Sequence, residues 1–318
     1  MAKISILVLS GGVSSEHGVS LKTGQMVYDE LDRDKYKVEK AVISQSGKWL
    51  FSFRDGECDI ISALDILAKS DFDIVFIALH GEFGEDGKIQ KLFDKIGQKY
   101  TGSGKDASAL GLDKDLSNKR FKEIGLSVPL YKIISRESIA DIDNLNFPLV
   151  VKPLKGGSSI GISIVNDQAE LNDALDKAFD LEVQAMVQQF IAGREFTCGV
   201  IEQENKRPVP LPPTEIIPIS SNFWDYEGKY EGGSKEVTPP NLPEDKIKEI
   251  RDIVIRVHKA FNCKGVSRTD LILRDDVFYV IEINTLPGMT STSIVPQEAQ
   301  AMGIGFSELL DLIINASL

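Results

Sequence analysis

The 318-residue chain is 42% hydrophobic, enough for packed cores in one to three domains. Its 48 acidic against 36 basic residues give a formal net charge of −12, which excludes a basic nucleic-acid surface or an anionic-membrane surface. No apolar run is long enough to span a bilayer, the scattered Cys58, Cys198 and Cys263 frame neither disulfides nor a zinc site, and the first residues lack a signal-peptide cleavage pattern, so a reduced cytosol is the expected compartment.

Residues 4–10 predict an apolar strand turned by Gly11-Gly12. A helix follows, with Ser14 or Ser15 as its cap and Val19, Thr23, Val27 and Leu31 as its buried face. Glu16 and His17 fall in its first turn, where the helix dipole favours a carboxylate. On that ground alone Glu16 is simply a good N-terminal charge. Strands near 37–44 and 73–79 alternate with helical stretches, an open α/β layout whose ligands collect at the carboxyl ends of strands. The first strand ends at Gly11-Gly12 and the later one at His80-Gly81-Glu82, so Glu16 and His80 meet at one rim. No G-x-G-x-x-G follows the first strand, which excludes the dinucleotide fingerprint.

A boundary falls near residues 100–104, and 107–125 read as one helix carrying Lys114. Phe147 to Pro153 is an apolar strand ending at Lys152, and the loop Lys155-Gly156-Gly157-Ser158-Ser159-Ile160-Gly161 follows. Glycines and hydroxyls between strands wrap phosphates with backbone N–H groups, although this is not the P-loop pattern. A strand at 182–190 leads through Gln188, Gln189, Phe190 and Ile191 to Glu195, a flat apolar group and an acid suited to a purine and a ribose. The prolines of 208–218 predict an edge strand. Residues 219–241 lack periodicity yet hold Phe223, Trp224, Tyr226, Lys229 and Tyr230, the composition of a lid or of an ordered surface loop. Helices follow over 243–262 and 305–316.

Between the last two, residues 265–287 predict an antiparallel hairpin around Arg274-Asp275-Asp276. Arg268 and Asp270 share one strand face, as do Glu282 and Asn284. The two pairs oppose each other only in an even register, which requires an odd-length turn or a bulge. Two carboxylates and an amide oxygen then suit Mg²⁺, and a guanidinium suits an anion. The alternative is a solvated edge-hairpin face. The Gly-, Ser- and Thr-rich loop from Asn284 to Ser293 directly after the carboxylates favours an anionic or zwitterionic substrate there.

The motifs GGVSSEHGVSL (11–21), HGEFGEDGKIQ (80–90), VKPLKGGSSIG (151–161), WDYEGKY (224–230), SRTD (267–270) and EINTLPGMTSTSIVP (282–296) occur in one order along the chain. Together they resemble the D-alanine–D-alanine ligases of the ATP-grasp superfamily, nearly end to end. The resemblance implies an α/β, ATP-grasp fold of three α/β domains: 1–103 with the first D-alanine contacts, 104–193 with the glycine-rich loop, and 194–318 with the lid and metal site. ATP would lie between the last two. It implies Mg²⁺ on Asp270, Glu282 and Asn284. Lys114, Lys152, Gly156, Gly157, Ser158 and Ser159 would meet the nucleotide phosphates, and Lys229 the transferred one. Residues Gln188 to Ile191 and Glu195 would meet adenine and ribose. Glu16, with His80 nearby, would hold the first D-alanine, Ser293 and Ile294 the second. Glu16, Ser158 and Tyr230 would tie the lid shut, and Arg268 with the Gly288 N–H would stabilise the tetrahedral oxyanion. Two metal ions, replaceable by Mn²⁺, a monovalent cation and a homodimer also belong to the implied picture.

In two places the lid and the purine slot carry their own information. Gln188 stands where a glutamate is expected near the adenine amino group, and Tyr230 keeps the tyrosine of alanine-specific members. The expected reaction is ATP-dependent joining of two D-alanines through a D-alanyl phosphate, for peptidoglycan precursors. A ligase forming D-alanyl-D-lactate or D-alanyl-D-serine is the nearest rival. A nucleotide-binding regulator without turnover is the rival from another class, disfavoured by the intact set Arg268, Asp270, Glu282 and Asn284.

Overall fold

The computed structural model describes residues 2–137, 142, 144–157, 161–203, 206–219 and 234–318. Ser158, Ser159, Lys229, Tyr230 and most of the expected lid lie outside the described residues. Three sheets organise the rest. Among the described residues no helix is long and apolar enough to cross a membrane.

The first sheet has the order β4-β3-β2-β1-β5. Strands β1 (Ile4–Gly11), β2 (Tyr36–Ile43) and β5 (Ile74–Ile77) are parallel, with β1 in the middle. Two short antiparallel strands, β3 (Trp49–Phe51) and β4 (Glu57–Cys58), extend the edge; they are too short for their alternation to be read from sequence. The crossover helices are α1 (His17–Glu30), α2 (Ile60–Ala68) and α3 (Lys88–Ile96). Gly11 adopts φ +86°, and a Cβ there would lie 2.2 Å from the Ile43 carbonyl oxygen, so only glycine lets the chain leave β1. The expected cap is corrected: Glu16, not a serine, occupies the position before α1, and its side chain makes no capping bond. Ser14 Oγ instead donates to the His80 carbonyl at 2.6 Å, joining the ends of β1 and β5.

The expected helix over 107–125 is two helices, α4 (Lys105–Leu112) and α5 (Lys114–Glu123). Asp113 separates them in an extended conformation and accepts from the N–H groups of Asp115 and Leu116. This cap breaks the helix and makes Lys114 the first residue of α5. The second sheet, order β6-β9-β7-β8, is antiparallel throughout, from β6 (Tyr131–Ser135), β7 (Leu149–Pro153), β8 (Ser163–Val165) and β9 (Gln184–Gln189). It buries Leu149, Val151 and Val187 against Leu171, Leu175 and Ala178 of α6 (Gln168–Phe179).

The third sheet runs β13-β12-β10-β14-β15, with β11 also on β10. Its strands are β10 (Arg194–Gln203), β11 (Arg207–Pro210), β12 (Thr214–Pro218), β13 (Ser234–Val237), β14 (Val266–Arg274) and β15 (Val277–Asn284). The proline-rich stretch is thus two strands. β11 pairs only with β10, but β12 lies between β10 and β13, so the edge assignment holds for β11 alone. One face packs on α7 (Glu244–Ala260) through Ile250, Val254 and Val257, together with Phe121 of α5. On the other side, helices α8 (Ile294–Ala301) and α9 (Phe306–Ser317) fill the space to the first sheet, where Val295, Leu309 and Ile313 meet Ile6, Val8 and Phe76. Helix α8 was not expected from the sequence. Its Pro296 lies in the first turn, where the missing N–H breaks no helical bond.

Candidate active site

The hairpin supplies the centre of the site. Asp275 and Asp276 both adopt positive φ (49° and 65°), the two-residue turn that suits the right-handed twist of paired strands. From that turn Leu271 pairs with Val280, but Asp270 pairs with Glu282 and Arg268 with Asn284. The register shifts after Asp270 because Ile281 is the extra residue of a bulge. The even register expected from the side-chain pattern is therefore present, and the bulge produces it.

Asp270 is held on three sides. Its Oδ1 accepts from Arg268 Nε at 2.9 Å and from Thr197 Oγ1 at 2.6 Å, and its Oδ2 accepts from Arg268 Nη2 at 2.9 Å. Thr197 was not foreseen, because it arrives from β10, paired with Asp270 across the sheet. Asn284 Oδ1 accepts from the Leu286 N–H at 2.9 Å, which orients its oxygen and leaves a second lone pair. The Glu282 side chain makes neither a hydrogen bond nor an ion pair among the described residues. No cluster of three or more His, Cys, Asp or Glu that would hold a metal occurs among the described residues. Two carboxylates and one amide oxygen are the hard, incomplete set that fits Mg²⁺ when phosphate and water complete the shell.

Two concavities meet at this hairpin. One is a narrow slot between the second and third sheets, walled by Val150, Lys152, Gln188 and Ile191 and faced by Asp270 and Glu282, with Glu195 at its side. The other lies between the first sheet and the hairpin and is roomy, with about 680 Å³ open to water. It is lined by Glu16, His80, Glu85, Arg268, Asn284 and Ser293. Lys114, Gly156, Gly157 and Glu282 line both, so this is where a group could pass from one to the other. Lys114 Nζ donates to the Gly156 carbonyl at 2.7 Å and so fixes the glycine loop. Lys152 is buried, 4% exposed, in the slot.

The roomy pocket has a marked electrostatic pattern. Glu16 is 7% exposed, and a Cβ on Gly81 (φ +70°) would approach its Oε2 to 2.6 Å. Glu85, which sequence reasoning quoted only inside a motif, accepts from the Gly81 N–H at 2.9 Å. Desolvation, and next the Glu16 carboxylate, push its carboxyl above the usual carboxylate range. His80 is placed at the expected rim, where it lines the roomy pocket, and its ring is tied to its neighbours. Nε2 lies 2.9 Å from Thr23 Oγ1, the ring bonds the backbone of Leu286, and burial lowers the pKa to about 4. The imidazole is therefore neutral and joins α1 to the loop after β15.

That loop is closed by its own hydroxyls. Ser293 Oγ accepts from the Thr290 N–H at 2.9 Å and lies 2.8 Å from Thr290 Oγ1. Gly288 passes so close that a Cβ would meet Ser293 Oγ at 2.8 Å. Ile294 then begins α8, and both it and Ser293 line the roomy pocket. Glu298, in the same helix and wholly buried, accepts from the Gly199 N–H at 2.7 Å and from Thr214 Oγ1 at 3.0 Å. Burial holds its carboxyl well above the usual carboxylate range. No sequence signal marks this residue, since its partners come from β10 and β12.

Known proteins are similar to this chain along its whole length. The family described as D-ala D-ala ligase N-terminus matches residues 5–103, and the one described as D-ala D-ala ligase C-terminus matches 121–315. The chain is 39% identical over 315 residues to the D-alanine–D-alanine ligase of Syntrophotalea carbinolica, covering 98% of this chain and 96% of that one. It is 35% identical to the Leptospira biflexa D-alanine–D-alanine ligase over the full length of both. Among solved structures, the VanG D-Ala:D-Ser ligase of Enterococcus faecalis superposes with a TM-score of 0.87 at 29% identity, covering 100% of each chain. The Bacillus anthracis D-alanine–D-alanine ligase complexed with ATP gives 0.83 at 32% identity, covering 99% of this chain and 97% of that one. By its sequence over both halves and by its fold, the chain belongs to the D-alanine–D-alanine ligase family.

Proposed function

We propose that the protein joins two D-alanine molecules into D-alanyl-D-alanine, with ATP converted to ADP and phosphate, as a supply reaction for peptidoglycan precursors. The observation that carries the reading is the junction of the two concavities at Glu282, Gly156 and Gly157, beside the opposed pairs Arg268–Asn284 and Asp270–Glu282. A slot for a nucleotide and a pocket for amino acids then share one phosphate position.

Three units share the work: residues 1–103 with Glu16 for the first ammonium, 104–193 with Lys114, Lys152 and the glycine loop for phosphates, and 194–318 with the metal set. Asp270, Glu282 and Asn284 would hold Mg²⁺, which would neutralise charge on the transferring phosphoryl group. The carboxylate of the first D-alanine attacks the γ-phosphorus, and ADP leaves. Lys114 and Lys152 position the phosphates, which is most of what such a transfer requires. The amine of the second D-alanine, held by Ser293 and Ile294, attacks the acyl carbon, loses a proton and displaces phosphate. Arg268 and the Gly288 N–H face the oxyanion formed on the way. Lys229, Tyr230, Ser158 and Ser159 complete the nucleotide and lid contacts in this reading. A homodimer in the cytoplasm is the setting, by analogy with relatives.

The likeness to a D-Ala:D-Ser ligase favours D-serine as the second candidate for the second position. Phosphate release with ATP and Mg²⁺ is measured with D-alanine alone, with D-serine or D-lactate added, and with L-alanine, and products are identified by mass. Release with D-alanine alone and a D-alanyl-D-alanine mass is expected. Release only when D-serine or D-lactate is added moves the second-site assignment, and no release from any mixture rejects the ligase reading.

A further inference from the structure

Gln188 lies opposite Val150 across the β7–β9 pairing, and Lys152 is two residues beyond Val150 on the same strand. All three therefore share one sheet face. That face is a wall of the slot, where Lys152 and Gln188 stand among the apolar Val150, Phe190 and Ile191; in the proposed function Lys152 takes the phosphates. Gln188 is 3% exposed, and its Nε2 has no hydrogen-bond partner among the described residues. A buried amide donor left unpaired is rare, because nothing offsets the loss of its water. The open space beside it is the slot, so its partner is the ligand.

We infer that Gln188 reads position 6 of the purine and lets the slot accept 6-oxopurine nucleoside triphosphates as well as ATP. This deepens the proposed function and rests on its assignment of the slot to a nucleotide. The reason is the two-sided chemistry of an amide. Its oxygen accepts and its nitrogen donates, and rotation about the last torsion exchanges them at small cost. With adenine, the oxygen takes the 6-amino proton while the nitrogen donates to a ring nitrogen, the two-point pairing that glutamine makes with adenine. With hypoxanthine, the nitrogen donates to the 6-oxo group, and the buried donor is again satisfied. A carboxylate at this position is acceptor-only. It would hold the amino group and repel the oxo oxygen, which is discrimination by a repulsive element.

ATP and ITP share N7 and differ at position 6, amino against oxo, and at N1, an acceptor in adenine and an N–H donor in hypoxanthine; a substitution at Gln188 leaves the N1 difference constant, so they form the test pair. Using the full chain with Mg²⁺ and D-alanine, kcat/KM is measured for each nucleotide in the wild type and in Gln188→Glu. The wild type is expected to use ITP within about tenfold of ATP, and the variant to lose about thirtyfold or more on ITP relative to ATP. An unchanged ITP-to-ATP ratio in a variant that still uses ATP overturns the inference. Because a carboxylate in the middle of β9 could prevent folding, ADP and IDP are also titrated into the wild type by calorimetry. Dissociation constants within about tenfold support the role of Gln188. A preference for ADP of about a thousandfold or more overturns it. Wild type that binds both diphosphates but turns over neither triphosphate rejects the ligase reading and leaves the base inference standing.

Discussion

Asp270 faces Glu282 across the β14–β15 hairpin because Ile281 is bulged out of register. Two residues nearer the turn the pairing is odd, and two residues further it brings Arg268 opposite Asn284. One extra residue thus assembles the charged face, since a shift by one would turn Glu282 and Asn284 to the opposite side of the sheet. Arg268 and Thr197 then fix the Asp270 carboxylate from its own strand and from β10.

The Arg268 guanidinium both clamps Asp270 and lines the roomy pocket. Arg268→Ala is expected to lower turnover about a hundredfold or more, the usual loss for one oxyanion donor. Arg268→Lys is expected to recover little, because an ammonium cannot reproduce the two-point hold on a carboxylate. Steady-state kinetics on both variants check this, and near-normal turnover in the alanine variant removes Arg268 from the mechanism.

Gly81 separates the rim from Glu16. With φ +70° and a Cβ position 2.6 Å from Glu16 Oε2, Gly81→Ala must displace the carboxylate. The left-handed conformation itself costs a non-glycine residue about 1–2 kcal/mol. KM for the first amino acid is expected to rise about tenfold while KM for ATP stays near the wild-type value, a split that separates a local displacement from general destabilisation. Equal changes in both constants contradict the placement of Glu16 at the amino-acid end.

The neutral His80 predicts an acid-side loss of stability. Its unfolded pKa is near 6.5 and its folded one about 4, so between these values the unfolded chain takes up a proton that the folded one refuses. Stability from this group is present above about pH 6.5 and falls as pH drops towards 4, by about 3 kcal/mol over the whole window. Urea denaturation of wild type and His80→Gln at pH 7 and at pH 4 measures it. The stability difference between them should narrow, or invert, at the lower pH; a constant difference would show that the imidazole is not held neutral by burial.

Glu298 predicts the opposite sign. Its carboxyl pKa is raised by burial, so the folded chain keeps a proton that the unfolded one loses near 4.5. Stability from this group is present below that pH and is lost as pH rises towards the folded pKa. Glu298→Gln, neutral at all pH, should therefore gain in melting temperature over wild type between pH 5 and pH 8. Glu298→Ala leaves the Gly199 N–H without its acceptor and should cost about 1–3 kcal/mol or more at either pH.

Much of the site was legible because its residues are local in sequence. Spacing of two along a strand puts Arg268 with Asp270 and Glu282 with Asn284, and an apolar strand followed by a glycine-rich loop sets Lys152 in the wall of the slot beside Gly156 and Gly157. Breaks in helices were less legible. Asp113 divides 107–125 only because its carboxylate outcompetes helix continuation by capping α5, and the serines at 14 and 15 lost the start of α1 when Ser14 turned to the His80 carbonyl.

The sequence by itself determined the strand-face identities, the glycine turn that ends the first strand, and the family to which the chain belongs. Only the tertiary structure decided which way the hairpin register fell, that Thr197 steadies Asp270, that the buried His80 is neutral, that Glu85 is pushed up beside Glu16, and that Gln188 faces the slot with a donor unpaired among the described residues. Each of these depends on atoms brought together from strands distant in sequence, and on the loss of water when they meet. Desolvation and cross-strand pairing are properties of the packed chain, so no local pattern of residues contains them.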